Sequence, residues 1–164
     1  MGEVVSQREL VSVVRRKKAE SQRIVFTNGC FDLLHPGHIR LLEESRSLGD
    51  LLIVGINTDE SVRGNKGANR PLIPQQERAE VLASLEPVDY VVTFDEPTPQ
   101  ELIASIVPNV LVKGADWGPN AVVGRAEVES AGGRVVLIAL EPGYSTTRII
   151  ERIRNTGNLR TLRA

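Results

Sequence analysis

The stretch RIVFTNGCFDLLHPGHIRLLEESRSLGDLLIVGIN, residues 23–57, decides the fold. It opens with an apolar run that ends at Asn28 and Gly29 and turns through Pro36 and Gly37 into a segment of helical spacing. A second apolar run, LLIVGI, follows from Leu51. Strands that are continuously apolar, rather than alternating, are buried on both faces, as in a parallel sheet. A strand, a helix and a second strand within 35 residues make a βαβ unit, whose crossover is right-handed.

The same rhythm continues along the chain. Helix-type PQQERAEVLASL (74–85) precedes strand-type DYVVTF (89–94), then TPQELIASI (98–106), NVLVKG (109–114), AEVESAGG (126–133) and RVVLIA (134–139) follow. This alternation predicts an α/β fold, a Rossmann-like doubly wound parallel sheet with helices on both faces. Arg8 to Ala19 read as an amphipathic helix ahead of the first strand, with RRKK (15–18) as its solvated end. Pro74, Thr98 and Pro99 mark helix starts, and Gly49 with Gly132 or Gly133 mark ends. The reading is a single domain over 1–164: an N-terminal helical segment 1–21, a catalytic core 22–154 and a tail 155–164.

Lys and Arg number 20 against 21 Asp and Glu, so the net charge of -1 gives no global field for nucleic acid or an anionic membrane. Any anion site is therefore local. The longest apolar runs are too short to span a bilayer. The single cysteine, Cys30, has no partner in the chain, which fits a reducing, cytoplasmic setting.

His35 and His38 are the only histidines, and they flank the Pro–Gly turn at the start of the first crossover helix. In a doubly wound sheet this turn lies at the carboxyl edge of a central strand, where helix N–H groups and the positive dipole end meet the ligand crevice. Two imidazoles there can face one phosphoryl group, and Gly37 lets backbone come close. The helix dipole favours neutral imidazoles in the empty site, whereas a bound triphosphate favours charged ones. The other readings of such histidines are a cap or a surface role. No third ligand stands at a familiar metal spacing, and Asp32 alone does not make a metal site. Neither a G-x-x-x-x-G-K-[ST] loop nor a G-x-G-x-x-G after the first strand is present.

TNGCFDLLHPGH (27–38) resembles the strand-to-helix signature of the HxGH nucleotidyltransferases. GINTDESVRGNKG (55–67), RPLIPQQERAEVLASL (70–85), VDYVVTFDEPTP (88–99), VLVKGADW (110–117) and YSTTRIIERI (144–153) extend the resemblance over roughly 22–154. Together they are similar to the heptose 1-phosphate adenylyltransferase domain of the ADP-heptose synthases. The resemblance implies transfer of AMP from ATP to D-glycero-β-D-manno-heptose 1-phosphate, with Mg²⁺ travelling on the triphosphate. His35, His38 and Lys66 are its implied catalytic residues. Thr27, Asn28, Gly29, Phe31, Gly37, Lys113, Ser145, Thr146 and Thr147 would surround the nucleotide, and Arg70, Arg78 and Asp116 the substrate phosphate or sugar.

Several of these residues have plainer readings. Lys66 and Arg70 belong to the cationic loop ESVRGNKGANRPL (60–72), which reads as an active-site flap or as a solvated loop. Arg78 could instead pair with Glu77 or Glu80 on the surface. Lys113 could be a strand-end solubility residue, the hydroxyls of 145–147 could cap the last helix, and Phe31 could be core. A CTP-dependent enzyme acting on glycerol 3-phosphate or another small phosphate ester, and a non-catalytic nucleotide-binding module, are the rival functions. The bifunctional relatives place a sugar kinase ahead of this domain. With about twenty residues before the first strand, the expectation is a separate kinase upstream in the pathway, and a homodimer is the common state of relatives.

Overall fold

In the computed structural model, which describes residues 1–115, 122–139 and 143–161 (side chains of 157–161 excepted), the apolar runs become strands β2 (Ile24–Gly29), β3 (Leu51–Asn57), β4 (Tyr90–Phe94), β5 (Val110–Gly114) and β6 (Arg134–Ile138). The helices are α1 (Gln7–Ala19), α2 (Pro36–Arg46), α3 (Asp59–Lys66), α4 (Gln75–Ala83), α5 (Gln100–Ile106), α6 (Arg125–Ser130) and α7 (Thr146–Thr161). A further strand, β1 (Glu3–Val5), precedes them all.

The sheet is parallel throughout, in the order β1-β4-β3-β2-β5-β6. From β2 the chain winds outward through β3 to β4, then returns over the sheet to β5 on the other flank of β2. The winding direction reverses between β2 and β5, and ligands bind outside the carboxyl ends of strands at such a switch point.

Both faces of the sheet are covered, which is why β2 to β6 are apolar at nearly every position. Ile24, Phe26, Leu51 and Ile53 pack with Leu10 and Val14 of α1, Leu102, Ile103 and Ile106 of α5 and Val128 of α6. Their strand neighbours Val25, Leu52, Val54 and Ile56 pack on the opposite face with Leu42 of α2 and Ala79 and Leu82 of α4. Side chains alternate across a strand, so the two layers are read off successive residues. Among the described residues no helix is long and apolar enough to cross a membrane.

Three expectations change. The N-terminal segment is not helix alone, because β1 adds an edge strand: Glu3, Val4 and Val5 register with Tyr90, Val91 and Val92. Ser6 then starts α1 through a reciprocal capping box with Glu9. The flap begins as helix α3, whose Ser61 N–H donates to the Thr58 side chain; only the turn after Gly67, at φ 94°, is irregular. Finally, the last helix runs through Thr161, into the segment expected as a tail.

Candidate active site

At the carboxyl end of β2 the chain turns back into α2, and the turn is held by its own histidine. His35 is the N-cap in extended backbone, Pro36 occupies the first turn, and His38 N–H donates to His35 Nδ1 at 3.3 Å. Pro there fixes φ and has no N–H to leave unpaired. With Nδ1 accepting, the neutral His35 ring carries its proton on Nε2. The two imidazoles stack with centroids 3.7 Å apart and planes 14° from parallel. Phe31 buttresses the pair, its ring 5.2 Å from that of His38.

Both rings favour the neutral form. Burial pushes the His38 pKa down to about 4, with His35 and Lys66 adding positive charge against its protonation. Burial likewise lowers His35. The neutrality expected from the helix dipole is thus present, but loss of hydration is its main cause.

A cavity of about 600 Å³ opens over the pair, lined by His35, Gly37, His38, Leu41, Lys66, Arg70, Tyr144 and Ser145 to Thr147. Ser145 Oγ accepts from the Arg148 N–H, so it caps α7 while also facing the cavity. A Cβ on Gly37 would lie 3.2 Å from His35 Nδ1 and 3.4 Å from Tyr144 Cβ, which explains the glycine. A second cavity, of about 390 Å³, lies beyond Lys66. Asn28, Gly29, Asn57, Asn65, Thr98 and Lys113 give it polar groups, and Val62, Pro97, Pro99 and Val123 give it apolar ones. Lys66 lines both.

His35, Gly37, His38, Lys66, Arg70, Ser145, Thr146 and Thr147 therefore converge on one cavity, while Asn28, Gly29 and Lys113 face the other. Lys113 is buried at the end of β5, with Nζ 3.4 Å from Asn28 O.

Three residues expected around the ligand have side chains that line neither cavity. Thr27 is fully buried, and its hydroxyl donates across the sheet to Val112 O. Phe31 is core, supporting Gly29 and His38 from behind. Arg78 is 1% exposed and lines neither cavity, nor does it pair with its helix neighbours Glu77 and Glu80. Its guanidinium donates to Ile73 O (3.0 Å), Cys30 O (2.6 Å), Asn57 O (2.9 Å) and Asp59 Oδ1 (2.7 Å). It ties the ends of β2 and β3 to α3 and the flap, because a buried charge persists only where its donors are satisfied. Asp116 lies outside the described residues.

Asn57, Asn65, Thr98 and Tyr144 are additions to the reading from sequence. Asn57 had a signal: like Asn28, it ends an apolar strand at the carboxyl edge. Tyr144 stands beside the hydroxyl run, its ring 6.3 Å from that of His35 and within 5.8 Å of the Arg40 guanidinium carbon.

Comparison with known proteins agrees with this geometry. The chain is 55% identical over 150 residues to the bifunctional protein HldE of Pelobacter propionicus, covering 91% of this chain and 31% of that protein. It is 56% identical over 144 residues to the HldE of Geobacter sulfurreducens, covering 88% and 29%. The chain thus spans about three-tenths of the length of these curated relatives. A solved lipopolysaccharide core biosynthesis protein from Thermoplasma volcanium superposes with a TM-score of 0.61 at 26% identity, over 73% of this chain and 97% of that one. The pantoate-beta-alanine ligase of Francisella tularensis shares the fold with a TM-score of 0.60 at 18% identity, over 87% and 69%. The Cytidylyltransferase-like family model matches residues 26–152, from the core of β2 into α7 and across every element that builds the two cavities. A switch-point crevice with paired histidines at a helix start, inside so complete a match, makes this chain a member of the Cytidylyltransferase-like family of nucleotidyltransferases.

Proposed function

We propose that the chain transfers AMP from ATP to D-glycero-β-D-manno-heptose 1-phosphate, releasing ADP-heptose and pyrophosphate. The observation that carries this reading is the pair of cavities meeting at Lys66. The triphosphate lies in the histidine cavity, over the first turn of α2 and beside the hydroxyls that open α7. The sugar phosphate enters from the cavity of Asn28, Asn57, Asn65 and Thr98. Carboxamides both donate and accept, which suits the several hydroxyls of a heptose. The HldE relatives and the lipopolysaccharide core biosynthesis protein of Thermoplasma support the same substrate class.

In this arrangement a phosphate oxygen of the sugar 1-phosphate attacks the α-phosphorus in line, and the bond to the β-phosphate bridging oxygen breaks. Pyrophosphate departs on the histidine side. The protein supplies position and charge, with no covalent intermediate. Bringing two polyanions together is costly: each pair of unit charges at 4 Å repels by about 4 kcal/mol at an effective dielectric near 20. Lys66, between the cavities, offsets repulsion on both reactants, and Arg70 and Lys113 act on one side each. His35 Nε2–H and the His38 ring donate to the phosphoryl oxygens as charge builds there. A magnesium ion bound to the triphosphate would offset part of its charge. Its ligands would be phosphate oxygens and water, the usual set for magnesium carried on a nucleotide. A sugar kinase reaction must supply the acceptor.

The test is pyrophosphate release with ATP or CTP against heptose 1-phosphate, glycerol 3-phosphate and phosphoethanolamine. Turnover confined to ATP with heptose 1-phosphate is expected. Turnover confined to CTP and glycerol 3-phosphate would overturn the substrate, and binding without turnover on any pair would make the chain a nucleotide-binding module.

A further inference from the structure

Asp32 lies in the catalytic turn, three residues before His35, yet it lines neither cavity. Its side chain is 1% exposed. Oδ1 accepts from the backbone N–H of Leu72 and of Ile73, each at 2.9 Å, and Oδ2 from Leu72 N–H at 3.0 Å. Oδ2 also forms an ion pair with Arg70 Nε at 2.8 Å. One buried carboxylate therefore gathers three consecutive features of the flap: the cation that lines the histidine cavity and the two peptide groups after Pro71. A carboxylate is expensive to bury unless such partners compensate it.

We infer that Asp32 is a positioning residue that latches the flap to the catalytic turn and aims Arg70 at the triphosphate. Arg70 has five N–H donors in a rigid fork. Asp32 Oδ2 stands 2.8 Å from Nε but off the N–H axis, so the carboxylate anchors Arg70 by charge and leaves the guanidinium donors to the cavity that this side chain lines with His35, His38 and Lys66. Without the latch Arg70 would be a mobile loop cation, contributing charge but no fixed direction. The latch also couples turn and flap mechanically, since His35 and Asp32 belong to one short connection and Lys66 and Arg70 to the other.

This inference rests on the triphosphate occupying the histidine cavity, and a thermodynamic cycle separates the two ideas. ATP binding without acceptor is measured by calorimetry for the wild type, Asp32→Asn, Arg70→Ala and the double variant, with thermal melts to establish folding. Asp32→Asn is expected to weaken ATP about tenfold or more, as for loss of a charge-assisted contact. The double variant should bind no more weakly than Arg70→Ala, because Asp32 acts through Arg70. Inorganic triphosphate should show the same pattern, since neither residue reads the base. A purely structural carboxylate would lower the melting temperature without this non-additivity. Should Asp32→Asn not fold, Asp32→Glu replaces it: the charge stays but its position shifts by a methylene, and a weakening that disappears on the Arg70→Ala background is expected. Wild-type affinity in Asp32→Asn or Asp32→Glu, or effects that multiply in the double variant, would overturn the latch alone. Failure of the wild type to bind ATP at all would overturn the functional reading beneath it.

Discussion

Replacing Arg78 with Met removes the guanidinium while keeping most of the apolar stem, so the change isolates the polar clamp. Arg78 is 1% exposed, and its hydrogen bonds reach three backbone oxygens and one carboxylate. The Asp59 side chain is 26% exposed and rehydrates readily. Cys30 O, Asn57 O and Ile73 O lose a donor in positions that water reaches poorly, at about 1–3 kcal/mol for each group left fully unsatisfied. Partial relaxation brings the sum to about 3–5 kcal/mol, the range found when one member of a buried charged pair is deleted. Against a total stability of about 5–15 kcal/mol this is severe. Urea unfolding monitored by circular dichroism should show the midpoint falling by about 1–3 M at unchanged slope. Arg78→Lys should lose most of the same stability, because one ammonium cannot span four acceptors. A midpoint within experimental error of wild type for Arg78→Met, with only the KM for substrate raised, would refute the clamp and return Arg78 to the phosphate-contact role expected from sequence.

Further outcomes follow from the site. In the free protein the His38 ring should titrate near 4 by NMR, and ATP should raise that midpoint; a free-state midpoint near 6.5 would contradict the burial argument. Because the folded pKa lies below the unfolded one, the folded state binds fewer protons between them. Stability is then intact above about pH 6.5 and falls as pH drops toward 4, by up to about 3 kcal/mol relative to His38→Asn. Gly37→Ala, whose Cβ would sit 3.2 Å from His35 Nδ1, should cut kcat by about tenfold or more through displacement of the ring, with little change in melting temperature. Unaltered kcat would show that the ring position is not critical.

The sheet was legible because β2 to β6 are apolar at nearly every position, a pattern only two-sided burial requires. β1 was not, since EVV is three residues long and mostly exposed, and pairing with β4 rather than sequence makes it a strand. α3 was hidden for a related reason: DESVRGNK is polar, contains Gly64 and carries Ser61 and Val62 as its buried residues. In the site, the histidine turn, Gly37 and the hydroxyls of α7 could be read locally, because their chemistry and their place at element ends coincide. Arg78, Asp32 and Thr27 could not. Each is a polar residue whose partners, apart from Ile73 for Arg78, lie 19 to 85 positions away, so burial and pairing appear only once the chain is folded.

The central claim is that the stacked pair His35 and His38 forms the phosphoryl-transfer centre. It is tested most directly by single-turnover pyrophosphate release from ATP and heptose 1-phosphate with His38→Ala, at saturating substrates and with folding verified. The account predicts a loss of a hundredfold or more, on the order expected for removing one transition-state donor, with ATP affinity reduced far less. Release at the wild-type rate would contradict it.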